Sequence, residues 1–387
     1  MNGLVLLATR QVRHHPVRSI ALAVGVALTL FLPFSVAGLV DRYGETLRAR
    51  AGATPLILGA PGSRYDLVLE SLYFRGRTEF GVTIADADEL SESGLAVGIP
   101  VFAGLTAGGR PLVGVDHAYY GFRSLRPERG SLPLRMGECV LGAGAARELG
   151  LEPGGFLLSD RESLFDLAGS YPLRMRVAGV LEETGGPDDG AVFASVRTAW
   201  IAAGLGHGHV DAEEVEDEGV LARSEDGGVV LNASVVEFNE VTPENEADFH
   251  FHGEPGELPL TAVIVVPEDD RSRTLLSGRY RVREDLQLSS PSEVMEELLQ
   301  LVLRVKVFFD AYAALVLFAA GLFLAVVVTL SLAARAGERR TLARIGCPPG
   351  TVARLFALEL GIVVVAGILL AGISTLLLLF VLPATPL

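Results

Sequence analysis

The 387-residue chain is 50% hydrophobic, carries a formal charge of −15 and contains two cysteines. That acidity excludes nucleic acid as the main partner, and a mean hydropathy of +0.41 is high for a soluble protein. Its one lysine, Lys306, lies in Val305-Lys306-Val307, so the chain holds no Walker A loop, which needs a lysine behind a Gly-rich turn.

Residues 1–17 read as a cytoplasmic amphipathic helix. Leu4, Val5, Ala8 and Val12 share one side, Arg10 and Arg13 another, and Pro16 stops it. Ser19 to Val40 has no charged residue and is long enough to cross a bilayer, which places a first span at 18–41. Ser35-Val36-Ala37 resembles a signal cleavage site, but the run is too long for most signal h-regions. The helix is expected to continue to about Arg50, before Gly52 and Pro55.

Residues 42–306 form the expected extracytoplasmic domain. Alternation predicts strands at Leu95–Phe102, Pro111–Val115, Glu138–Leu141, Arg174–Leu181 and Leu260–Val266, with a short helix at Ala143–Leu149. This is an α+β pattern, read as two subdomains. Residues from about Asp211 to Glu246 are acid-rich and Gly-punctuated, as expected of a mobile insertion or an edge hairpin. Ser290-Pro291-Ser292-Glu293 is a helix start, with Ser290 as N-cap and Pro291 in the first turn. Val294, Leu298, Leu301 and Val305 then follow a coiled-coil seam that runs straight into a second span at 307–334. Helices rising from the first two spans suggest a stalk; the alternative is an ordinary amphipathic helix packed on the domain.

The loop 335–358 carries Arg335, Arg339, Arg340, Arg344 and Arg354, and a third span is placed at 359–383. The positive-inside rule makes that loop cytoplasmic. The N-terminus is then inside and the acidic central segment outside, and Cys139 and Cys347 fall on opposite sides with no disulfide between them. The expected architecture is an α-helical membrane protein of three spans with an α+β extracytoplasmic domain on a helical stalk, in a bacterial inner membrane.

Two patterns carry candidate chemistry. His207-Gly208-His209 and His250-Phe251-His252 each put two imidazoles on one face of a strand, and Asp211, Glu213 and Glu214 follow the first pair. If His207, His209, His250 and His252 converge, they suit Zn²⁺; the alternative is a solvated polar loop. In the basic loop, Arg335 and Glu338 are three apart on a helix, and Glu338 and Leu342 four apart. No nucleophile–base constellation stands out, and Asp116-His117 reads as structural.

The layout resembles the FtsX/MacB-type permeases of ABC transporters. The resemblance is carried by Arg335-x-x-Glu338-x-x-x-Leu342-x-x-Ile345-Gly346 followed by Glu359, and by Gly137-Glu138-Cys139-Val140-Leu141-Gly142 with Leu149-Gly150-Leu151 and Val177-Ala178-Gly179-Val180-Leu181. Val113-Gly114-Val115-Asp116 and Arg10 through Ser19 fit the same pattern. It implies an inserted subdomain at about 131–203 and a non-enzymatic subunit that works with a separate cytoplasmic ATPase; the acidic His-containing insertion at about 205–253 is read from composition and is not supplied by the resemblance. Arg335, Glu338, Arg339, Leu342, Arg344, Gly346 and Glu359 are the implied ATPase-coupling residues. A homodimer or a second permease subunit is implied as well. The family's minimal pattern has four spans, and this sequence shows three. The alternatives are a membrane-anchored metal-binding module of a metal transport system and a non-transporting sensor or adaptor.

Overall fold

A computed structural model describes residues 3–76, 81–160, 172–208, 220–223, 229–231, 239–251, 253–334 and 336–381. The helices are α1 (Gly3–His14), α2 (Pro16–Gly52), α3 (Arg64–Tyr73), α4 (Ile84–Glu92), α5 (His117–Arg123), α6 (Ala143–Leu149), α7 (Val196–Ala202), α8 (Asp270–Arg281), α9 (Pro291–Ala334), α10 (Ala336–Arg344) and α11 (Pro349–Val381). The chain divides into two compact units, one of Met1–Glu45 with Leu299–Pro386, the other of Thr46–Leu298.

In the first unit, α2 and α11 are long and apolar enough to cross a membrane. Their most apolar 18-residue windows have mean hydropathies of 2.3 and 2.8, yet only 11% and 22% of those windows is buried. A core helix of a soluble protein buries such residues, whereas Leu28, Leu32, Leu376 and Phe380 stand exposed. Lipid is the solvent that suits them, and the chain is membrane-anchored. In α9 the apolar stretch among the described residues is the shorter Asp310–Phe323. The third helix begins at Pro349, ten residues ahead of the expected span, because Pro349 suits the first turn of a helix.

Helices α2 and α11 pack side by side through small residues. A Cβ on Gly367 would lie 2.7 Å from the Ala23 carbonyl oxygen, and one on Gly38 would lie 2.9 Å from Leu379. Between them the hydroxyls of Ser35 and Thr375 meet at 3.3 Å, both buried. Paired positions rise together along both helices, so the two run parallel. Small residues at such an interface let backbones approach where no hydrophobic effect drives association.

The second unit is built on one sheet. Its strands, in chain order with the smaller ladders, are β1 (Leu56–Gly59), β2 (Val82–Thr83), β3 (Ala96–Ala107), β4 (Arg110–Val115), β5 (Pro127–Gly130), β6 (Glu138–Leu141), β7 (Phe156–Leu158), β8 (Arg174–Leu181), β9 (Val192–Ser195), β10 (Gly206–Gly208), β11 (Val220–Arg223), β12 (Val229–Leu231), β13 (Phe249–Phe251), β14 (Pro259–Leu260), β15 (Ala262–Pro267) and β16 (Gln287–Ser289). The large sheet has the order β16-β1-β15-β3-β4-β9-β6-β8-β5, with β7 beside β8. The parallel β4–β9 pairing therefore carries the strands of residues 131–203 into the same sheet as the rest. Phe102, Phe193, Leu141 and Met175 are buried in the core. The acid-rich stretch holds an antiparallel β11–β12 ladder separate from the large sheet.

At the start of α9, Val294 and Met295 are buried and Leu298 is half-buried. Val294 belongs to the expected seam, and Met295 and Leu299 beside it turn inward as well. Leu301 and Val305 have side chains outside the described residues. Glu296 pairs with Arg48 of α2 at 3.3 Å, and Glu297 with Arg64 of α3 at 2.7 Å. Both pairs are exposed, so they orient the helices more than they stabilise them.

Candidate functional site

The last turn of α2 ends in a buried polar network within the second unit. Leu47 offers its carbonyl to the Tyr73 hydroxyl at 2.6 Å. One turn on, the Arg50 guanidinium donates to both carboxylate oxygens of Asp188, at 2.5 and 2.8 Å. It also donates to the Tyr119 hydroxyl at 2.9 Å and the Leu72 carbonyl at 3.2 Å. The Tyr119 hydroxyl in turn donates a hydrogen bond to Asp188 Oδ1 at 3.1 Å. Arg123 donates to Thr54 Oγ1 at 2.8 Å, just past the end of α2.

Both ends of this pair are removed from water: the side chains of Arg50 and Asp188 are 9% and 4% exposed. Burial works against the Arg50 charge, but Tyr119 and Asp188 outweigh it and raise the pKa above the ordinary arginine value. Burial pushes the Tyr119 phenol up to about 12, so it stays a donor at any working pH. Arg123 goes the other way, lowered by burial and then by the neighbouring Arg50.

Asp188 is held by a tight turn, Pro187–Gly190, between β8 and β9. Its neighbour Asp189 accepts from Thr184 N and Gly185 N at 2.8 and 2.7 Å, which fixes the turn from inside. Gly142 presses against the other side: a Cβ there would meet the Asp188 carbonyl oxygen at 2.1 Å. The helix end, the turn and the β6–α6 connection are thus one packed assembly. A buried ion pair adds little net stability, but it tolerates only one geometry. This arrangement fixes the end of α2 to the sheet through Asp188 and Tyr119. Sequence reasoning missed it: Arg50 entered as the expected end of the first helix, and Asp188 was not singled out.

The expected coupling residues lie in the first unit. Helix α10 carries Glu338, Arg339, Leu342 and Arg344; Arg335 lies outside the described residues. Leu342 is half-buried and Arg344 exposed. Gly346 ends α10 in the left-handed region at φ +85°, and Cys347 N reaches back to the Leu342 carbonyl at 3.0 Å. This is a glycine C-cap with its 6→1 bond. Glu359 is buried in α11 and pairs with Arg18 of α2 at 3.5 Å, which ties the starts of the two parallel helices.

The structure brings two of the four singled-out histidines together. His207 and His250 face one another across the β10–β13 ladder, ring centroids 4.6 Å apart. His209 and His252 lie outside the described residues, and among the described residues no cluster of three metal-ligating side chains occurs. Asp116 is structural as expected: its carboxylate caps α5 by accepting from Tyr119 N at 3.1 Å. It also borders a cavity of about 550 Å³ with Val115, Arg197, Trp200, Phe251 and Leu258, a mostly apolar hollow.

No protein-family model matches the sequence, and no curated protein matches it. Among solved structures, it is similar to the extracellular domain of the noncanonic ABC-type transporter YknZ from Gram-positive bacteria. Identity there is 12% over 60% of this chain and 98% of the other, with a TM-score of 0.33. It is similar also to a domain of a permease protein from Porphyromonas gingivalis, at 11% identity over 61% of this chain and 86% of that one, with a TM-score of 0.26.

Proposed function

We propose that the chain is the permease subunit of an FtsX/MacB-type ABC complex, coupling ATP hydrolysis by a separate cytoplasmic subunit to movement of an extracytoplasmic domain. The observation that carries this reading is the continuity of α2. A single helix, Pro16–Gly52, contains the apolar span and ends in the buried Arg50–Asp188–Tyr119 network. At 1.5 Å per residue it is about 55 Å long, and a helix that ends in a rigid socket moves whatever holds the socket. Pro33, inside the span, is tolerated there as in other membrane helices.

In this reading α9 makes the remaining crossing. Phe308, Leu315, Phe318 and Phe323 are exposed, and exposed Val326 and Leu330 extend the apolar surface beyond Phe323. The basic segment around α10 then faces the cytoplasm and receives the ATPase, with Arg335, Glu338, Arg339, Leu342 and Arg344 forming the docking face and Gly346 its end. Glu359, paired with Arg18, passes the displacement to α2. The functional unit contains a second permease, either another copy or a related chain. No lysine is placed to serve ATP, so the chain contributes movement and not hydrolysis.

The test is an ATPase assay on the reconstituted complex. The chain alone should hydrolyse no ATP. With its ATPase, Glu338→Arg and Gly346→Leu should each lower permease-stimulated hydrolysis at least tenfold or release the ATPase. Gly346 is exposed and has open space around it, so the leucine acts through its unfavourable left-handed backbone. If both variants assemble and work as the parent does, this docking face is wrong.

A further inference from the structure

We propose that His207 and His250 form a two-imidazole site for a borderline divalent cation such as Zn²⁺, bridging β10 and β13. The pairing follows from how the two strands fit. Their antiparallel register sets Gly206 opposite Phe251, His207 opposite His250, and Gly208 opposite Phe249. Side chains alternate along a strand, so Phe249 and Phe251 project to one face and His250 to the other. The glycines make room for the rings: a Cβ on Gly206 would lie 2.6 Å from the Phe251 ring, and one on Gly208 2.7 Å from that of Phe249. Phe249 is buried and Phe251 stacks edge-on against Trp200 at 5.8 Å, which anchors the phenylalanine face. A slip of one residue would drive His250 into that apolar face, so the register that aligns the two histidines is strongly specified.

On the opposite face the two rings stand 4.6 Å apart with planes at 71°. An ion bound at about 2.0–2.1 Å by one nitrogen of each ring needs those nitrogens about 3.3 Å apart in tetrahedral geometry, which rings on facing residues of one ladder can supply. Imidazole is a borderline ligand matched to Zn²⁺, and His250 is exposed and His207 half-buried, which leaves a path for the ion. Water fills the remaining positions. Bound, the ion ties together the two strands from which the acidic stretch leaves and to which it returns.

Calorimetry with ZnCl₂ on the chelator-stripped full chain in detergent micelles tests this. One equivalent should bind, and His207→Gln and His250→Gln should each weaken it at least tenfold. The double variant should be no worse than the weaker single one, since both residues hold the same ion. Fluorescence of Trp200, the sole tryptophan, packed on the other face of the ladder, should stay at its parent value and show that each variant is folded. No Zn²⁺ binding by the parent chain, or parental affinity in the single variants, overturns the site. Loss of binding in His209→Gln with none in His250→Gln overturns it too, by assigning the ion to neighbours along one strand.

Discussion

Replacing Arg50 by Met while Asp188 remains should lower the stability of the Thr46–Leu298 unit by about 3–5 kcal/mol, the usual result of leaving a buried charge without its partner. Asp188 would keep only the Tyr119 hydroxyl, with its side chain 4% exposed. Asp188→Asn should cost about as much, for it strands a buried guanidinium, and arginine does not escape burial by deprotonation. The double variant Arg50→Met with Asp188→Leu should recover most of the loss, because a well-packed apolar pair often matches a buried ion pair. Arg50→Lys should recover little, since an ammonium cannot span both carboxylate oxygens, Tyr119 and Leu72 together. Urea unfolding of the full chain, followed by Trp200 fluorescence, measures all four. A loss under about 1 kcal/mol in both single variants would mean the network is not desolvated as the structure has it.

Gly142→Val should be nearly as damaging, for a different reason. The backbone there is extended, at φ −61° and ψ 153°, so any residue could adopt it. What forbids a side chain is space: the carbonyl oxygens of Asp188 and Asp189 would stand 2.1 and 2.6 Å from the new Cβ. Those are backbone atoms of the turn that presents Asp188, and they can retreat only by pulling Asp188 from Arg50. Overpacking of this kind costs about 1–3 kcal/mol, and loss of the ion pair adds to it. Gly150 makes the control. It caps α6 at φ +65° with open space around it, so Gly150→Ala should cost only about 1–2 kcal/mol, from backbone strain. Thermal unfolding of the two variants separates the mechanisms, and a Gly142→Val chain at parental stability would refute the packing.

Much of the fold is legible because local signals and tertiary structure agree. Glu138–Leu141, Ala143–Leu149 and Arg174–Leu181 end where glycines and alternation say they should. Misreadings have physical causes. Strand β3 was expected to stop at Phe102, but it continues to Ala107 through a bulge at Gly104, whose φ of +102° a glycine supplies. The run from Leu260 was expected to be one strand. Thr261 divides it, its hydroxyl accepting from Ala103 N and donating to the Ala103 carbonyl at 2.8 and 3.1 Å. Leu260 then pairs with Val82 instead.

The site was less legible. The His-x-His pattern is visible, but the meeting of His207 with His250 depends on register across a long intervening stretch. Gly142 and Gly179 stood out as motif glycines; only packing shows that each makes way for carbonyl oxygens, of Asp188 and of Ser131. Arg50 and Asp188 gave no local signal, since 138 positions separate them and each is of a kind normally solvated.

The central claim requires the sheet domain and the α10 loop to lie on opposite sides of the membrane, and thiol labelling of spheroplasts tests that most directly. Cys347→Ser supplies the background. Cys139 stays silent, fully buried with its thiol pushed up to about 12 by that burial. In this background Glu92→Cys, exposed at the end of α4, should react at once with a membrane-impermeant maleimide. Gly337→Cys, exposed on α10, should react only after detergent is added. Labelling of the Gly337→Cys chain in intact spheroplasts, with the Glu92→Cys chain protected, would contradict the orientation and with it the coupling of cytoplasmic ATP hydrolysis to this domain.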